Sequence, residues 1–373
     1  MLVLSAWIVD VWSMLQQRLA GTTAQKNELQ TQIASISAEL ERIQHEDQYQ
    51  KNQRLQNDIG RIESVYTHAV RIYEDLLRLK DIEKDTSSFD NRFASILALL
   101  AKSDYLKADG ELSSLQNDIK KEQAKVAASF TIPSNIPEKN DPPAAGGFSS
   151  QTVTSDAGKF FVDVVAADIG NTRIIVDTSS DGTCPKDCPV MPLADYVSRN
   201  GAYAGINGSY FCPADYPSCA DRKNSFDTLL MNKNKVYFNS ENNTYSTVPA
   251  VIFGNGFIRF VGRSLEWGRD TNIDGMIAMQ PLLISGGTVV YGGNSDPKEG
   301  AKGSRSFVAH KGNTVYIGIV FNATVAESAR VMKAMGMDNA LNLDDGGSTA
   351  LWYQGYKAGP GRNIPNAILF VRK

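Results

Sequence analysis

The sequence predicts an α+β domain with a mixed sheet in the C-terminal part of the chain, preceded by an α-helical coiled-coil module. From Ala24 to Lys84 there is no proline, and apolar residues recur at alternating spacings of four and three. Beyond about residue 158 the pattern changes to short strand-like runs with few helical stretches between them. This mixture favours hairpins and a mixed sheet over a doubly wound parallel sheet.

The composition excludes some classes of function. The chain has 373 residues, a formal net charge of −3, and 21% charged residues. Its length favours two or three domains. The small negative charge gives no electrostatic reason to expect a nucleic-acid partner.

The first residues form an apolar segment, assigned here to residues 1–20. The run from Met1 to Leu15 is interrupted by Asp10, and no basic residue precedes Arg18. It is shorter than the roughly 20 residues that span a membrane, and it lacks the basic start of a signal peptide. Three interpretations stay open: the remainder of a signal or anchor, a marginal membrane anchor, or the apolar beginning of the next helix.

The helical module, residues 21–130, contains two apolar blocks. The first block consists of Leu29, Ile33, Ile36, Leu40 and Ile43, and the second of Leu55, Ile59, Ile62, Tyr66, Ala69, Tyr73 and Leu76. The phase shift between them predicts a stutter or local unwinding near Gln44 to Arg54. His45 and His68 on this helix are interpreted as solvated or packed residues rather than ligands.

The apolar seam of the module needs a partner. Either residues 24–84 form a homo-oligomer, or two later helices, Asn91 to Ala101 and Leu106 to Ala128, fold back after Thr86 and Gly110. The Pro- and Gly-rich run from Ile132 to Gly147 then predicts a linker, assigned to 131–157, before a domain at 158–373.

Within this domain we predict strands and two helices. Phe160 to Ile169 and Thr172 to Asp177 are separated by Gly170-Asn171, as in a hairpin. The predicted helices are Pro192 to Arg199 and Val325 to Met335. Further strands are predicted at Ala202 to Ile206, Pro249 to Phe253, Phe257 to Val261, Met276 to Met279, Thr288 to Val290, Phe307 to His310, Val315 to Phe321, Ala340 to Leu343 and Ala367 to Val371.

The four cysteines lie close together in sequence, at Cys184, Cys188, Cys212 and Cys219. Without a C-x-x-C pair or a nearby histidine, zinc is the weaker interpretation and two disulfides the stronger. The local pairing 184–188 and 212–219 is the simplest of three connectivities. Disulfides indicate an oxidising compartment, so we expect an extracytoplasmic protein, secreted or membrane-anchored, with the coiled coil as a stalk.

The octet Asn342-Leu-Asp-Asp-Gly-Gly-Ser-Thr349 is the main candidate site. It follows an apolar run and joins two carboxylates to two glycines and two hydroxyls. Glycines allow close backbone approach to a ligand, and carboxylates after a buried strand are placed where chemistry often occurs. The same residue types also form ordinary turns, which is the competing interpretation.

Other motifs accompany the octet in a fixed order. They are Asn207-Gly-Ser-Tyr-Phe211, Gln280-Pro-Leu-Leu-Ile284 before Gly286-Gly287, Ser304-Arg-Ser-Phe-Val308, and Arg362 to Val371. In this order they resemble the phosphodiester glycosidase family over roughly residues 158–373. Two positions depart from the family pattern: Asp345 stands where a glycine is usual, and Phe321-Asn322-Ala323 replaces an Asp-Gly pair.

The resemblance implies a hydrolase that cleaves a sugar-1-phosphodiester in a cell-envelope or exported glycan. Asp344 is the expected base or nucleophile, and Asp345 tunes its pKa or binds a cation. The Arg305 guanidinium offers a planar fork for phosphate, unless it only forms a surface salt bridge. The expected substrate-binding residues are Asn207, Ser209, Gln280, Asn342, Gly346, Gly347, Ser348, Thr349 and Arg362.

The remaining expectations concern partners and alternatives. Tyr210 or Phe211 is expected to form an apolar wall for the sugar, and His310 is a minor candidate. No cofactor is expected, with a divalent cation at Asp344/Asp345 left open. A catalytically silent sugar-phosphate binding module on a stalk is the alternative function, and a scaffold centred on the helical half is a third. Membrane anchoring through the N-terminus stays open as well.

Overall fold

The computed structural model describes residues 2–241 and 247–373; Met1, the first residue of the predicted N-terminal segment, lies outside them. The chain divides into two compact units, one up to His68 and one from Ala69 to Lys373. The unit boundary therefore falls inside the helical module predicted as a separate stalk. The first helical part forms one unit, and the remaining helices belong to the unit that carries the sheets.

The first unit consists of long helices. Helix α1 spans Leu2–His45, and helix α2, Asp47–Lys80, begins in this unit. The helix is interrupted at Glu46, inside the interval where the phase shift predicts a disturbance. The first apolar block lies exposed along α1, from 44% at Ile43 to 68% at Ile36. Among the helices described, none is long and apolar enough to cross a membrane.

The second unit begins with a helical bundle. The end of α2 is followed by α3, Ser87–Ala101, and α4, Tyr105–Ser129. Apolar residues of all three helices are buried: Ile72, Leu76, Leu79, Ile96, Leu100, Leu112, Leu115 and Ile119. The two later helices thus fold back, as one of the two alternatives predicts. The reversal before α4 occurs at residues 102–104, whereas Gly110, predicted as the turn, lies inside α4.

The strands form three sheets in the described residues, and all strand pairs are antiparallel. In chain order the strands and helices are β1 Phe148–Ser155, β2 Gly158–Asp168, β3 Thr172–Thr178, α5 Leu193–Asn200, β4 Ala204–Asn207, β5 Leu230–Met231, β6 Tyr237–Phe238, β7 Ala250–Gly254, β8 Phe257–Val261, β9 Gly275–Ala278, β10 Leu282–Ser285, β11 Thr288–Val289, α6 Pro297–Gly300, β12 Gly303–Lys311, β13 Thr314–Ala323, α7 Val325–Ala334, β14 Asn339–Asn342, β15 Leu351–Tyr353, β16 Tyr356–Ala358 and β17 Asn366–Arg372.

A seven-stranded sheet has the order β1-β2-β13-β12-β14-β10-β11. One five-stranded sheet is ordered β16-β15-β4-β17-β3, and the other β6-β5-β9-β7-β8. The largest apolar core joins all three, with Val165, Ile206 and Ile277 among its members. A second core lies between the seven-stranded sheet and α7. The predicted α+β class is confirmed, whereas the predicted mixed sheet is wrong, because the described strands pair only in the antiparallel sense.

Two details of the prediction are wrong. Strands β2 and β3 do not form a hairpin, because β2 pairs with β1 and β13 whereas β3 pairs with β17. Both are buried along nearly their whole length, so each is needed in a different sheet of the same core. The predicted linker ends too late, because β1 lies inside 131–157 and pairs with β2 over eight positions.

Both predicted disulfides are present. Cys184 pairs with Cys188 and Cys212 with Cys219, which is the simplest of the connectivities open to the sequence. The second bridge closes a loop directly after the Asn207 motif. This loop therefore brings Tyr216 back toward the C-terminal motifs, as described below.

Candidate active site

The octet lies where two sheets meet. Its first residue ends β14, and Leu343 N then donates to Ser306 O on β12 of the seven-stranded sheet. Asp344 N donates to Gly208 O, directly after β4 of a five-stranded sheet. Gly346 then takes the left-handed conformation, φ +62°, which favours glycine, and opens a short 3-10 turn, Gly346–Ser348. The two carboxylates thus stand at the junction of two sheets.

The side chain of Asn207 fastens this junction. Its Nδ2 donates to Asp344 O at 2.6 Å, and its Oδ1 accepts from Ser306 Oγ at 3.0 Å and from Ala350 N at 3.1 Å. Asn207 is fully buried. The amide expected to orient a sugar hydroxyl is therefore engaged within the protein, and it positions the backbone of Asp344.

Ser209 is held in a similar way by a residue that the sequence did not single out. Asn366, on β17, accepts from Ser209 N and donates to Ser209 Oγ, both at 2.8 Å. Gly208 lies so close to Asn366 that a Cβ would stand 2.9 Å from its carbonyl oxygen. The available signal was a polar residue, Asn366, at the start of the apolar run Ala367 to Val371. Ser209 thus supports the site rather than facing a substrate.

Asp345 accepts hydrogen bonds at both carboxylate oxygens. Its Oδ1 accepts from Ser306 N at 2.9 Å, and its Oδ2 accepts from Asn342 Nδ2 at 3.0 Å and from Arg305 Nη1 at 3.1 Å. Burial raises the pKa of Asp345, and Arg305 opposes this effect. Because both oxygens already accept from protein donors, we do not place a cation here.

Arg305 is not presented to a substrate. Its side chain is 7% exposed, and Nε donates to Ala323 O at 2.9 Å. Its Nη2 donates to Lys298 O at 3.0 Å and also to Ala301 O. With Nη1 on Asp345, every nitrogen of the guanidinium has a partner within the protein. The expected phosphate role of Arg305 is therefore revised to that of a positioning residue for Asp345.

Asp344 has the environment of a proton-transfer group. Its side chain is largely buried, and Asp345 N donates to its Oδ1 at 2.9 Å. Burial raises the pKa of Asp344 to about 7, and the Asp345 charge adds to the rise. A hydrogen bond from Ser348 and the Arg362 charge work in the opposite direction. A carboxyl group with this pKa can either accept or donate a proton near neutral pH.

Arg362 is the partly exposed cation beside Asp344, with its side chain 21% exposed. Its backbone N–H donates to Gly347 O at 2.8 Å, which ties the last motif to the 3-10 turn. The guanidinium lies 5.5 Å from the ring centre of Tyr216, in the loop closed by Cys212–Cys219. Its Nη2 also lies 3.1 Å from Asp81 Oδ2. Neither Tyr216 nor Asp81 was singled out in the sequence.

Tyr210 lies near both carboxylates. Its Oη accepts from Asn342 Nδ2 at 3.1 Å. Burial raises its pKa well above the usual range, and the Asp345 and Asp344 charges add to the rise. Tyr210 and Phe211 are both partly buried and pack against the main core. Tyr210 therefore contacts the octet through Asn342, and its role, or that of Phe211, as a wall for a sugar stays a prediction.

Three further candidate residues make no contact with the Asp344 carboxylate that the structure shows in the part of the chain it describes. Gln280 is exposed, and among the described residues no hydrogen bond of its side chain joins it to the octet. Thr349 is buried and donates to Ser304 O at 3.5 Å. His310 shares a hydrogen bond of 2.8 Å with Asn339, and burial lowers its pKa. His310 is therefore a neutral packed residue rather than part of the site.

Comparisons with known proteins identify one matching family. Residues 200–371 match the model of the family described as phosphodiester glycosidase. Among curated proteins, none matches the chain.

Two solved structures are similar at low identity. A hypothetical protein from Synechocystis is 15% identical with a TM-score of 0.47, and the match covers 60% of this chain and 62% of that one. The chain thus spans less than two thirds of that protein. The catalytic domain of zebrafish N-acetylglucosamine-1-phosphodiester alpha-N-acetylglucosaminidase, auto-inhibited by its pro-peptide, is 12% identical with a TM-score of 0.46, and the match covers 64% of this chain and 87% of that one. On the family match, residues 200–371, which carry every motif described above, form a domain of the phosphodiester glycosidase family.

Proposed function

We propose that the chain hydrolyses a sugar-1-phosphodiester. In this proposal Asp344 is the carboxylate that accepts a proton from the attacking water or attacks the sugar itself. The observation that carries this proposal is Asp344 itself, a buried carboxyl with a pKa raised to about 7, inside a domain of a hydrolase family. An aspartate with its usual pKa is a weak base, whereas one that titrates near pH 7 suits proton transfer under ordinary conditions.

The chemistry assigns different tasks to the two sides of the bond. In a sugar-1-phosphodiester the leaving group is an acidic phosphate ester, which needs less help from a general acid than an ordinary alcohol. The sugar side still needs a base to activate water, or a nucleophile, and stabilisation of an oxocarbenium-like transition state. Asp344 supplies that carboxylate once it has lost its proton.

Arg362 takes the phosphate role in this proposal. Its guanidinium is partly exposed, stands near enough to Asp344 to lower its pKa, and offers donors in a planar fork. The nearby backbone of Gly346 and Gly347 and the Tyr210 wall complete the proposed substrate surface. Arg305 acts behind it by fixing Asp345, which in turn donates its backbone N–H to Asp344.

The test is turnover of a chromogenic sugar-1-phosphodiester by the purified full chain. Asp344→Asn keeps the volume and should lower kcat/KM by at least about a hundredfold, the usual scale of a proton-transfer group. Asp163→Asn is the matched control, because Asp163 is also a buried aspartate with a raised pKa, but it lies on β2 and accepts from Ser150 Oγ on β1. Equal activities of the Asp344 variant and wild type would contradict the assignment.

A second candidate function is a silent sugar-phosphate binding module. The observation that favours it is the Arg305–Asp345 pair, since Asp345 stands where the resembled family has glycine and it engages the arginine of the Ser304–Val308 motif. Wild-type protein that binds a sugar 1-phosphate but turns over none of a panel of nucleotide-sugar and teichoic-type phosphodiesters would establish this alternative.

The proposed setting is an extracytoplasmic one, with residues 24–68 as an oligomerising stalk. The rest of the predicted stalk, residues 69–84, already has its apolar seam buried in the helical bundle. Two disulfides support an oxidising compartment. The apolar seam along α1, exposed in the single chain, supports association with a second copy, because coiled-coil seams bury such residues. The substrate is then a glycan of the cell envelope or an exported one. Membrane attachment through the N-terminus remains part of this proposal.

A further inference from the structure

The turn after α2, residues 81–86, reaches the proposed phosphate site. Asp81 Oδ2 lies 3.1 Å from Arg362 Nη2, with the two side chains 29% and 21% exposed. Asp81 is 281 positions away from Arg362 in sequence. Asp81 directly follows α2 of the helical bundle, yet its carboxylate forms an ion pair with Arg362 of the last motif.

The ion pair lies directly against the 3-10 turn of the octet. A Cβ added at Gly347 would collide with Arg362 Nη2 and stand 2.6 Å from Asp81 Oδ2. The next residue, Ser348, hydrogen-bonds Asp344. The Asp81 carboxylate therefore lies against the backbone of Gly347, close in sequence to Asp344.

A carboxylate and a phosphodiester accept hydrogen bonds from the same donors of a guanidinium. Both are anions that accept from its N–H donors, and Asp81 already accepts from Nη2. A phosphodiester that binds through both Nη groups must therefore displace Asp81. The surroundings do not favour Asp81 as a permanent partner. Burial and the charge of Asp215 raise the pKa of Asp81, against the effect of Arg362.

Two other contacts keep the helical bundle on the domain without Asp81. Glu74 Oε1 accepts from Ser218 N at 3.1 Å, and Asn322 Nδ2 donates to Ala127 O at 2.9 Å. Glu74 lies on α2 and Ala127 on α4, so two helices of the bundle are attached by contacts that do not involve Asp81. Release of Arg362 by the Asp81 side chain therefore does not require these contacts to break.

We propose that Asp81 is an internal competitor for the phosphate of the substrate, and that it must release Arg362 before a phosphodiester binds. The proposal rests on the phosphate role given to Arg362 above. The helical bundle then controls access to the site, and any change that withdraws the 81–86 turn activates the enzyme.

The experiment measures binding of glucose 1-phosphate to the full chain by calorimetry, separately from turnover. Asp81→Asn removes the charge at constant size and should tighten binding by about two- to fivefold, because a partly exposed ion pair contributes up to about 1 kcal/mol. Asp85→Asn is the matched control, because this exposed carboxylate of the same turn bonds only Ser87. It should leave the affinity unchanged. In an Arg362→Gln background, Asp81→Asn should have no effect.

Binding that is unchanged or weaker in Asp81→Asn overturns the proposal, and weaker binding would make Asp81 a positioning residue for Arg362. If no variant turns over any phosphodiester while Asp81→Asn binds more tightly, the hydrolase assignment fails and the competitor stands. Should Asp81→Asn not fold, hydrogen exchange on the wild type decides. Saturating phosphate should speed exchange of the Ile82 and Glu83 amides, which bond Leu79 O in the closed turn. Unchanged exchange contradicts the competitor.

Discussion

Arg305 and Asp345 form a buried ion pair, with Nη1 3.1 Å from Oδ2 and the two side chains only 7% and 8% exposed. The remaining donors of Arg305 go to backbone carbonyls, and the second oxygen of Asp345 accepts from Ser306 N. A pair this enclosed organises the loop that holds Asp344. It also means that removing one partner leaves the other as an unpaired buried charge.

Breaking this pair should be costly. Arg305→Met should lower the free energy of unfolding by about 3–5 kcal/mol, because Asp345 stays buried without its cation. The double variant Arg305→Met/Asp345→Asn should cost less than the sum of the two single changes. Urea unfolding measures all three. If Arg305→Lys instead lowers kcat/KM ten- to a hundredfold at unchanged stability, Arg305 binds phosphate after all.

The pKa of Asp344 makes stability depend on pH. Its folded value of about 7 lies above the roughly 4 of an unfolded aspartate, so between these values the folded state holds the extra proton. Its contribution therefore favours folding below about pH 4 and is lost as the pH rises to about 7, by up to about 4 kcal/mol. Asp344→Asn should unfold less readily than wild type at pH 8. Chemical denaturation from pH 4 to pH 8 checks the difference.

The same titration should govern catalysis. If deprotonated Asp344 is the base or nucleophile, kcat/KM should rise through a pH near 7 and level off above it. A pH–rate profile of wild type on a chromogenic substrate tests this. A profile that falls across that range would instead indicate that the protonated carboxyl is the active form.

The Cys212–Cys219 bridge should matter for substrate binding. It closes the loop in which Tyr216 contacts the Arg362 guanidinium, and closing a loop of this length contributes about 2–3 kcal/mol in the entropy model. Cys212→Ser/Cys219→Ser should lower the melting temperature and raise KM. Cys184→Ser/Cys188→Ser removes the other bridge and should lower the melting temperature with little change in KM. Equal KM effects would contradict the role of Tyr216.

The exposed seam of α1 should drive self-association. Ile33 and Ile36 are 62% and 68% exposed in the single chain. Replacing both with lysine should shift the full chain toward monomer in sedimentation experiments, because charges at seam positions oppose helix pairing. Gln30→Lys/Ser37→Lys adds the same charge to the same helix as a control. A wild-type chain that is still monomeric at about 100 micromolar would contradict self-association through α1.

The smallest fragment that folds should begin before the end of the predicted linker. A fragment beginning at Ala69 keeps the helical bundle and all strands, whereas one beginning at Ser155 loses nearly all of β1 and its pairing with β2. Edge strands left unpaired invite aggregation, so the shorter fragment should be poorly soluble. Equal solubility and melting temperature of the two fragments would show that β1 and the bundle are dispensable.

The sequence by itself determined much of this protein. Period-two and heptad patterns are local properties, so strands such as β12 and β13, the helix α7 and the long α1 followed from them. Short spacing made the local pairing the simplest of the three connectivities, and the structure has that pairing. The adjacent Asp344 and Asp345, followed by glycines, marked the site.

Only the tertiary structure decided which of these distant residues contact each other. Asn207 bonds the Asp344 backbone 137 positions away, and Arg362 pairs with Asp81 281 positions away. The choice of Asp345 as the partner of Arg305, and the separation of β2 from β3 into two sheets, are likewise long-range events. Hydrogen bonds and ion pairs form between whichever groups the packed core brings within about 3 Å, and no local pattern records that proximity.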